Sequence, residues 1–492
     1  MKHLAALFLL ASLSFASAVE LKNTRPNIIL VMTDDQGMGD LGCLGNPILK
    51  TPNIDRFYEH ATRFTDFHVS TACAPTRAAI MSGRHEFRVG VTHTIMARER
   101  MAPDVFTLPQ ALKSAGYTTG IFGKWHLGDE EEYLPHNRGF DESLIHGSGG
   151  IGQTIYGDFP SNGKNTYYDS VLLHNNTIVQ TKGYCTDLFF HAGLGWIKQQ
   201  HEAKQPYFAY ISTNAPHTPN IAPEKYTRRF TEMGWSNAHK DGPAGRFGMI
   251  ENIDENFGVM MAKLEEWGAL ENTLIIFMTD NGMSHVEGKL NGEITPFFTA
   301  GLKGKKCTPY EGGTRVPAFW SWKGVLKEGV DVPVLSAHFD MYQTFCELAG
   351  VELPEKMQDL DGRSLLPLLQ DPAAESEDRE LFVHVGRWDA NQAEEAKFKA
   401  CAVRTQRWRF VNNSELYDIS NDPGETTDVS ASFPEVVASL RKSYDVWWNQ
   451  TVPLMVNEGV TTERVQSPSP LAVRYKKQLE EEGIPEWSPP EI

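Results

Sequence analysis

The chain has 492 residues, of which 41% are hydrophobic and 22% charged, a composition typical of a globular protein with a large core. Its formal net charge of −17 excludes a general nucleic-acid-binding protein, because such proteins present basic stripes to the phosphate backbone. The 6 cysteines are scattered without CxxC or zinc-binding spacing, which excludes a disulfide scaffold.

Residues 1–18 are predicted to be a signal peptide. A weakly basic start precedes an apolar run over residues 4–15, and residues 16–18 fit a small-residue cleavage site. The run is too short to span a bilayer, and no later segment is long and apolar enough to do so. We therefore expect a secreted or periplasmic protein with a short leader of the bacterial kind and no membrane partner.

Apolar runs alternate with amphipathic helical stretches from about residue 25 to about residue 370. This is the pattern of a mostly parallel sheet with helices on both faces. Buried strands are predicted at residues 27–32, 118–122, 206–211 and 273–278, and helices at residues 108–115 and 250–267. The sequence thus predicts an α/β catalytic domain over residues 19–380, built on a large, mostly parallel mixed sheet sandwiched by helices.

Beyond about residue 380 the pattern changes to short antiparallel strands. Residues 402–405 and 408–411 are strand-like, and residues 436–448 have a helical pattern. Five prolines between residues 468 and 490 favour an extended tail. We therefore predict a smaller C-terminal α+β domain with an extended tail over residues 381–492.

Charged and coordinating side chains follow each of the four predicted strands. In strand order they are Asp34 and Asp35, Lys124 and His126, Asn214 and His217, and Asp280 and Asn281. In open α/β sheets ligands bind outside the carboxyl ends of the strands, so these side chains are expected to lie along one edge. This convergence is the main indication of an enzyme.

The acids of this set favour a hard metal ion. Asp34 and Asp35 alone are typical of a turn or a helix cap, and the Asp-Asn-Gly after the fourth strand is typical of a turn. Together, however, three carboxylates at one sheet edge need neutralising, because like charges so close repel by several kcal/mol. The all-oxygen ligand set suits Ca²⁺ or Mg²⁺ rather than zinc or copper and consists of Asp34, Asp35, Asp280 and Asn281.

A second set of residues predicts a pocket for a tetrahedral anion. Taken singly, each has an ordinary alternative role as a solvated cation, a buried histidine or a turn residue. Grouped around a divalent cation, they would bind an anion that the acidic surface otherwise repels. The set consists of Arg77, Lys124, His126, His217 and Lys306.

Cys73 begins the segment "CAPTRAAIMSGR" and precedes a short helix predicted at residues 76–81. A buried thiol or half of a disulfide is the ordinary alternative for such a cysteine. Pro75 suits a first helical turn, so Cys73 would stand at the positive end of the helix, where an oxyanion is favoured. The thiol therefore fits the predicted anion pocket.

This segment resembles the C-x-P-x-R signature of the type I, formylglycine-dependent sulfatases of the alkaline-phosphatase-like superfamily. Seven further motifs match in the family's order, and together they cover essentially the whole mature chain: "RPNIILVMTDDQG", "GYTTGIFGKWHLG", "RGFD", "APHTP", "TDNG", "YEGGTRVP" and "ELYDISNDPGE". The resemblance implies an alkaline-phosphatase-like fold. It also implies that a formylglycine-generating maturation enzyme oxidises Cys73 to Cα-formylglycine.

The resemblance further implies a role for each site residue. Modified Cys73 would be the nucleophile, stabilised by Arg77 and assisted by His126 as a base. His217 would protonate the departing alcohol. The ligands of Ca²⁺ would be Asp34, Asp35, Cys73, Asp280 and Asn281, and the residues that hold the sulfate would be Lys124, His217 and Lys306. Cys307 departs from the family's pattern, in which a glycine commonly follows that lysine, and this departure bears on the position of Lys306.

An aldehyde suits this chemistry because its hydrate carries two hydroxyl groups. One hydroxyl attacks the sulfur, and the second then loses a proton and expels sulfate by C–O cleavage, which divides one hard hydrolysis into two steps. A bound metal lowers the pKa of the diol as it does that of bound water. A serine would instead leave a sulfate ester that is itself hard to hydrolyse.

The leading prediction is a sulfuric ester hydrolase that acts on a sulfated carbohydrate or polysaccharide fragment. The alternatives are a phosphonate or phosphodiester hydrolase of the same superfamily and a catalytically idle glycan-binding relative. A long Gly-rich stretch at residues 147–169 is predicted to form a substrate rim, since such loops are often functional. His93, Arg98 and His285 are further candidate substrate contacts.

Overall fold

The computed structural model describes residues 20–153, 157–159, 166–238, 241–459 and 469–492. The predicted signal peptide lies outside these ranges, as does part of the predicted rim at residues 147–169. Across the described ranges, every helix is too short or too polar to cross a bilayer.

The strands of the described residues are numbered in chain order. They are β1 (Asn27–Thr33), β2 (Thr62–Phe64), β3 (Phe67–His68), β4 (Thr118–Lys124), β5 (Glu142–His146), β6 (Val171–His174), β7 (Thr177–Gln180), β8 (Tyr207–Ser212), β9 (Thr273–Thr279), β10 (Glu287–Leu290), β11 (Glu293–Pro296), β12 (Ala318–Ser321), β13 (Val330–Val332), β14 (Ser336–Ala337), β15 (Leu381–His384), β16 (Cys401–Arg404), β17 (Trp408–Val411) and β18 (Glu415–Asp418).

The α-helices of the same residues are also numbered in chain order. They are α1 (Pro52–Glu59), α2 (Cys73–Ser82), α3 (Leu108–Ser114), α4 (Cys185–Glu202), α5 (Glu224–Glu232), α6 (Pro243–Glu266), α7 (Glu311–Thr314), α8 (Asp340–Ala349), α9 (Leu366–Gln370), α10 (Ala393–Ala396), α11 (Pro434–Thr451) and α12 (Pro470–Glu481).

A ten-stranded sheet forms the centre of the molecule, in the order β13-β2-β12-β9-β1-β8-β4-β5-β6-β7. Its middle strands, from β9 to β5, are parallel to one another. The strands β12, β6 and β7 pair antiparallel with their neighbours. The predicted large, mostly parallel mixed sheet is therefore confirmed, and the four strands predicted from the sequence are its central members β1, β4, β8 and β9.

Helices cover both faces of this sheet, and β1 shows why its sequence is apolar throughout. All seven residues of β1 are buried. Ile28 and Leu30 pack into one core with α2, α3 and α8, whereas Ile29 and Val31 pack into the other with α1, α4 and α6. Because successive side chains of a strand point to opposite faces, a strand covered on both sides needs an apolar residue at every position.

The C-terminal part of the chain forms a separate four-stranded antiparallel sheet, in the order β15-β16-β17-β18. The helix α11 packs on it through Tyr444 and Trp448, which share a core with Val403 and Phe410. The strands and the helix predicted here are thus confirmed, as is the smaller α+β character of this part. The boundary at residue 380 stays a prediction.

A buried group of charged residues joins this C-terminal sheet to the rest of the molecule. Arg404 Nε donates to Glu311 Oε1 over 2.9 Å, and Arg404 Nη2 donates to Asp66 Oδ1 over 3.0 Å. Arg409 Nη1 also donates to Glu311 Oε1, over 2.8 Å. These side chains thus tie β16 and β17 to α7 and to the chain around β3. We call the whole group the Arg404 cluster, and its members are Asp66, His68, Glu311, Arg404, Arg409 and Glu425.

The tail corrects one prediction, because the stretch expected to be extended contains the helix α12. Ser469 is its N-cap, and the Ser469 Oγ accepts a hydrogen bond from Ala472 N over 3.2 Å. Pro470 occupies the first helical position, where proline is favoured because no N–H is needed there. Pro470, which the composition of the tail led us to expect in an extended chain, therefore begins the helix α12.

The tail then covers the outer edge of the central sheet. The Gln478 side chain bonds both the N–H and the carbonyl of Ile178 in β7, over 2.9 and 2.7 Å. Further along, Gln180 N donates to Pro485 O and Trp487 N donates to Gln180 O, each over 2.9 Å. The tail thus occupies backbone groups of an edge strand that would otherwise be open to pairing with another chain.

Candidate active site

The carboxyl ends of β9, β1, β8 and β4 meet at one edge, because these four parallel strands are consecutive in the sheet. Across that edge, Asp35 N donates to Asp280 Oδ1 over 3.2 Å and Asn281 Nδ2 donates to Asp35 Oδ1 over 2.9 Å. Lys124 Nζ donates to Asp34 Oδ2 over 2.5 Å. The predicted convergence of strand-end side chains is thus confirmed.

Three acids and three bases pair one to one at this edge. The pairs are Lys124 with Asp34 at 2.5 Å, Lys306 with Asp35 at 2.5 Å, and Arg77 with Asp280 at 2.7 Å. We call these six residues the Cys73 cluster, after the thiol that they surround. The bases already balance the three carboxylates, which the sequence alone did not show, so charge balance by itself does not require a metal.

Cys73 is the first residue of α2, three positions before the predicted helix start, and every residue of α2 is buried. A carboxylate oxygen of Asp34, one of Asp280 and the Cys73 Sγ all lie within 4.8 Å of one another. Lys306 Nζ is 4.0 Å from the Cys73 Sγ. Burial raises the pKa of the thiol, but the charges of Lys124 and Lys306 outweigh it, so that pKa lies below its ordinary value.

All six cysteines are free, so Cys73 is not half of a disulfide. Cys346, by contrast, is a buried thiol whose pKa is raised by burial, with no basic residue opposing it. Cys73 therefore differs from an ordinary buried cysteine in its electropositive surroundings, which is the setting of a reactive one.

Arg77 connects α2 by hydrogen bonds to the ends of three strands, β4, β8 and β9. Its Nη1 donates to Lys124 O over 2.9 Å and to the Ser212 Oγ, while Nη2 donates to Asp280. Tyr210 OH lies 3.4 Å from the same Nη1. The guanidinium is fully buried, so its fixed fork of donors orients the acid and the strand ends together.

His126 is held in one tautomer by the loop that contains Thr94. Its Nε2 lies 2.8 Å from Thr94 O, and because a carbonyl only accepts, Nε2 must carry the proton. Its Nδ1 is buried and has no hydrogen-bond partner in the described structure. Burial and the charge of Lys124 hold the pKa of His126 well below its usual range, so the imidazole is neutral and Nδ1 keeps a free lone pair.

His217 approaches the acids from the loop after β8. Its Nδ1 donates to Thr218 O over 2.8 Å, and its Nε2 lies 3.9 Å from Asp35 Oδ2. Burial lowers the pKa of His217 to about 4, against the opposing effect of Asp35. In the free protein near pH 7 His217 is therefore neutral, and Nε2 has no proton to donate.

Two residues of this site have left-handed backbones, and one glycine makes a close contact there. Asp35 and His126 have φ angles of 63° and 62°, a left-handed conformation that costs a non-glycine residue about 1 kcal/mol or more. A Cβ at Gly149 would lie 2.6 Å from His126 Cε1, so only glycine lets this loop approach the imidazole so closely. Gly149, in the described part of the predicted rim, thus lies against the histidine.

Two buried oxygens of this site test whether the residues fit a metal ion. Asp34 Oδ1 and Asn281 Oδ1 have no hydrogen-bond partner in the described structure, which is costly for buried polar atoms unless a ligand satisfies them. Burial, together with a neighbouring aspartate, raises the pKa of Asp34 to about 7 and that of Asp280 to about 6, against the opposing charges of Lys124 and Arg77. Carboxylate and amide oxygens are the donors that Ca²⁺ and Mg²⁺ prefer. The residues therefore fit a hard divalent cation.

The remaining candidate contacts fall into two groups. Arg98 is buried and pairs with Glu458 over 2.9 Å, a structural contact that argues against the predicted substrate role. His93 Nδ1 accepts from Thr94 N over 2.8 Å, and His285 Nδ1 lies 3.0 Å from the Ser284 Oγ. These contacts leave the substrate roles of the two histidines as predictions.

Several residues that shape the site escaped the sequence analysis. Ser212, which binds Arg77, ends β8, and the rule that pointed to the other strand ends could have found it. Tyr167 OH donates to His217 O over 2.6 Å and fixes that loop. Thr94 holds His126 from a segment with no motif. Tyr167 lies within the predicted rim at residues 147–169, whereas Thr94 carries no sequence signal of its role.

The sheet carries acids at its carboxyl edge and a cysteine of lowered pKa at a helix start, as the resemblance to the alkaline-phosphatase-like hydrolases implies. The family model named Sulfatase matches residues 26–351. The model described as N-sulphoglucosamine sulphohydrolase, C-terminal, matches residues 303–446. The chain therefore belongs to the sulfatase family and is a sulfuric ester hydrolase.

Named relatives agree with this assignment over most of their length. The N-acetylgalactosamine-6-sulfatase of Mus musculus is 29% identical, with 94% of this chain and 90% of the relative covered. Arylsulfatase A of Homo sapiens is 30% identical, with coverage of 88% and 89%. Among solved structures, Ps i-CgsB is similar with a TM-score of 0.75 and 29% identity, over 90% of this chain and 98% of that one.

Proposed function

We propose that the protein is an exported sulfatase that removes sulfate from a sulfated carbohydrate, with Cys73 matured to formylglycine and Ca²⁺ bound beside it. The observation that carries the proposal is the position of Cys73. It begins the buried helix α2, lies 4.0 Å from Lys306 Nζ, and shares a 4.8 Å group with Asp34 and Asp280. A helix N-terminus with flanking cations is a favourable place for an oxyanion.

The cation would be held by the oxygens of Asp34, Asp35, Asp280 and Asn281 together with the modified residue 73. When bound, it supplies a Lewis acid that lowers the pKa of the formylglycine hydrate and polarises the sulfate. Because the three acids and three bases of the Cys73 cluster already balance, a divalent cation would leave the site with a net positive charge. Such a site attracts sulfate in a protein whose overall charge is −17.

The bases of the cluster would hold the sulfate. Lys124 and Lys306 each make one ion pair and have further ammonium donors, which suit the oxygens of a tetrahedral anion. Arg77 keeps Asp280 and the ends of β4 and β8 in place around them. Because these donors are already held in place by ion pairs and hydrogen bonds, they would bind the sulfate without rearranging.

The two histidines would move protons. The unbonded Nδ1 of His126 is an acceptor, which suits a general base. His217 is neutral in the free protein, but a bound sulfate anion raises the pKa of a nearby imidazole, and the protonated ring can then donate to the leaving alcohol. His217 thus gains its acid form only with substrate present.

A carbohydrate substrate is supported by two of the similar proteins. One relative is named N-acetylgalactosamine-6-sulfatase. Ps i-CgsB, 29% identical to this chain, has also been solved in complex with k-i-k-neocarrahexaose. The predicted signal peptide would carry the enzyme out of the cytoplasm, where extracellular sulfated polysaccharides are accessible.

Co-expression with a formylglycine-generating enzyme tests the mechanism. Mass spectrometry of the peptide that spans Cys73 should show the aldehyde, and kcat/KM should be far higher on an aryl sulfate than on the aryl phosphate. Cys73→Ala should lower kcat at least about 10⁴-fold, whereas Cys346→Ala, at a buried cysteine with no basic neighbours, should not. Unmodified thiol in active protein, a preference for phosphate, or full activity in Cys73→Ala would refute the proposal.

A panel of sulfated mono- and oligosaccharides tests the substrate class. Release of sulfate from at least one saccharide, with a kcat/KM above that of the aryl sulfate, is expected. Hydrolysis of the aryl sulfate alone would keep the sulfatase mechanism and overturn the carbohydrate proposal.

A further inference from the structure

Arg387 belongs to the C-terminal part of the chain but lies against the loop that holds His126. It follows β15, and its Nη2 donates to Thr94 Oγ1 over 2.9 Å. Its backbone N–H also donates to Thr92 O over 3.3 Å. Because His126 Nε2 bonds to the carbonyl of the same Thr94, one residue separates Arg387 from that imidazole.

The charge of Arg387 also affects Cys307, which is next to Lys306 of the Cys73 cluster. Burial raises the pKa of the Cys307 thiol, and among the charges that oppose this rise Arg387 has the largest effect. Cys307 directly follows Lys306, whose Nζ is 4.0 Å from the Cys73 Sγ. On the other side, burial and then Arg387 lower the pKa of His93 to about 3, so His93 is a neutral neighbour. Arg387 therefore contacts the loop of Thr94, and its charge also acts on the residue next to Lys306.

The backbone forces this placement. Gly386 and Arg387 both have left-handed φ angles, of 65° and 61°. A Cβ at Gly386 would lie 2.0 Å from Thr92 O, so the turn must press its backbone against that loop. A non-glycine residue held in this conformation is strained, and such strain is concentrated at functional sites.

The guanidinium of Arg387 has unused binding capacity. It is exposed and donates one side-chain hydrogen bond, although an arginine has five N–H donors. Within the described residues no carboxylate lies within 4.0 Å of it, whereas Arg98 nearby is buried and paired with Glu458. In a protein with a net charge of −17, an exposed and unpaired arginine beside an anion site is free to bind a second anion.

We propose that Arg387 forms a subsite for a second anionic group of the substrate, a sulfate or a carboxylate carried close to the ester that is cleaved. The inference rests on the proposed function and narrows it to polyanionic saccharides. The planar fork of arginine binds either oxyanion through two parallel hydrogen bonds. The subsite also gives the C-terminal sheet a part in substrate choice.

The test compares three substrates that share one sugar. The first carries the cleavable sulfate alone, the second carries an added sulfate, and the third an added carboxylate. Arg387→Gln should lower kcat/KM about tenfold or more on at least one doubly charged substrate and by less than about twofold on the singly charged one. Whichever doubly charged substrate shows the loss identifies the second group. Arg228→Gln, at an exposed arginine of α5, is the matched control and should change none of the three.

Two outcomes would overturn the proposal. An equal loss on all three substrates would mean that Arg387 positions His126 through Thr94, and unchanged kinetics on both doubly charged substrates would mean that it contacts neither. Calorimetric binding of the same sugars to Cys73→Ser, with and without Arg387→Gln, separates this inference from the sulfatase mechanism. Binding of a doubly charged sugar should weaken about tenfold with Arg387→Gln whether or not the matured enzyme hydrolyses it.

Discussion

Two buried groups of charged residues in this molecule have similar composition and different uses. The Cys73 cluster and the Arg404 cluster each contain three acids and three basic side chains. In the Arg404 cluster both arginines donate to Glu311, and Arg404 reaches Asp66 as well. In the Cys73 cluster each base pairs with one acid, and two of the three bases are lysines.

The difference lies in the bases. Asp66, His68 and Glu311 are spaced closely enough to hold a metal ion. Their cluster is nevertheless closed, since even its unbonded oxygens, Glu311 Oε2 and Glu425 Oε1, lie 3.6 and 3.5 Å from guanidinium nitrogens. An arginine fork can contact both oxygens of an acid, whereas a lysine ammonium in the Cys73 cluster pairs with one oxygen and leaves the second oxygen of Asp34 without a partner in the described structure. A count of buried acids therefore does not distinguish the two clusters, whereas the type of the neighbouring bases does.

Removal of Arg404 should have the largest effect on folding. Arg404→Met leaves Asp66 and Glu311 buried with less compensation, which typically costs about 3–5 kcal/mol of the free energy of unfolding. Denaturant titration measures this loss. Arg407→Met, at an exposed arginine three residues further on, is the control and should change little. A stable Arg404→Met protein that has lost its activity would contradict this prediction, because the Arg404 cluster would then serve catalysis rather than folding.

Removal of Lys124 should act on catalysis instead. Lys124→Met deletes one donor to the sulfate and should raise the activation barrier by on the order of 3 kcal/mol, which is roughly a hundredfold loss of kcat. Steady-state kinetics on an aryl sulfate measure it, with Lys113→Met at an exposed lysine as the control. Unchanged kcat together with a large loss of stability would mean that Lys124 serves structure, as Arg404 does.

Calcium should stabilise one cluster and not the other. At a Ca²⁺ concentration 100 times its Kd, the free energy of unfolding should rise by about 2.7 kcal/mol, because the ion binds the folded state alone. Asp280→Asn should abolish this increment, while Glu425→Gln, in the Arg404 cluster, should keep it. If the Ca²⁺-dependent increase persists in Asp280→Asn, the ion binds outside the proposed site. A larger increase with Mg²⁺ than with Ca²⁺ would identify the preferred ion as Mg²⁺.

The smallest expected effect is a pH dependence of the free energy of unfolding, to which the Arg404 cluster contributes through Glu425. Burial and then the charge of Glu311 raise the pKa of Glu425 from 4.5 to about 7, against the pull of Arg409. Folding therefore favours the protonated acid, and Glu425 should contribute a fall in the free energy of unfolding of on the order of 2 kcal/mol as pH rises from about 4.5 to 7. Asp34 and Asp280, whose pKa values are also raised, contribute in the same direction.

Glu425→Gln should reduce this slope by the share of Glu425, and Glu435→Gln, at an exposed glutamate of α11, should leave it unchanged. Denaturant titrations at several pH values measure the slope. A slope of the same size in Glu425→Gln would assign it to another group.

Much of the site could be predicted because its residues follow strands. Asp34, Lys124 and Asp280 come directly after, or end, apolar runs that had to be buried, and parallel strands bring such positions to one edge. The pairing of acids with bases could not be predicted, since it depends on α2 and on the loop of Lys306 folding over the edge.

Two of the misses have a common physical origin in contacts between distant parts of the chain. Arg98 lies among substrate-like residues, yet its partner Glu458 is 360 residues further along. Arg387 gave no signal because its contact, Thr94, lies 293 residues earlier. The tail helix was missed for a local reason, since Pro470 begins a helix in a proline-rich stretch whose composition is typical of an extended chain.

The tail at the edge of the central sheet bears on how the molecule assembles during synthesis. Gln478 leaves the ribosome 300 residues after Ile178, the residue that it bonds in β7. Until then the outermost strand remains unprotected, even though the strands around Cys73 are already complete. A nascent chain, or a truncation that removes the tail, would therefore leave the edge strand β7 open to pairing with other chains. Aggregation, rather than loss of catalytic activity, is then the first expected effect.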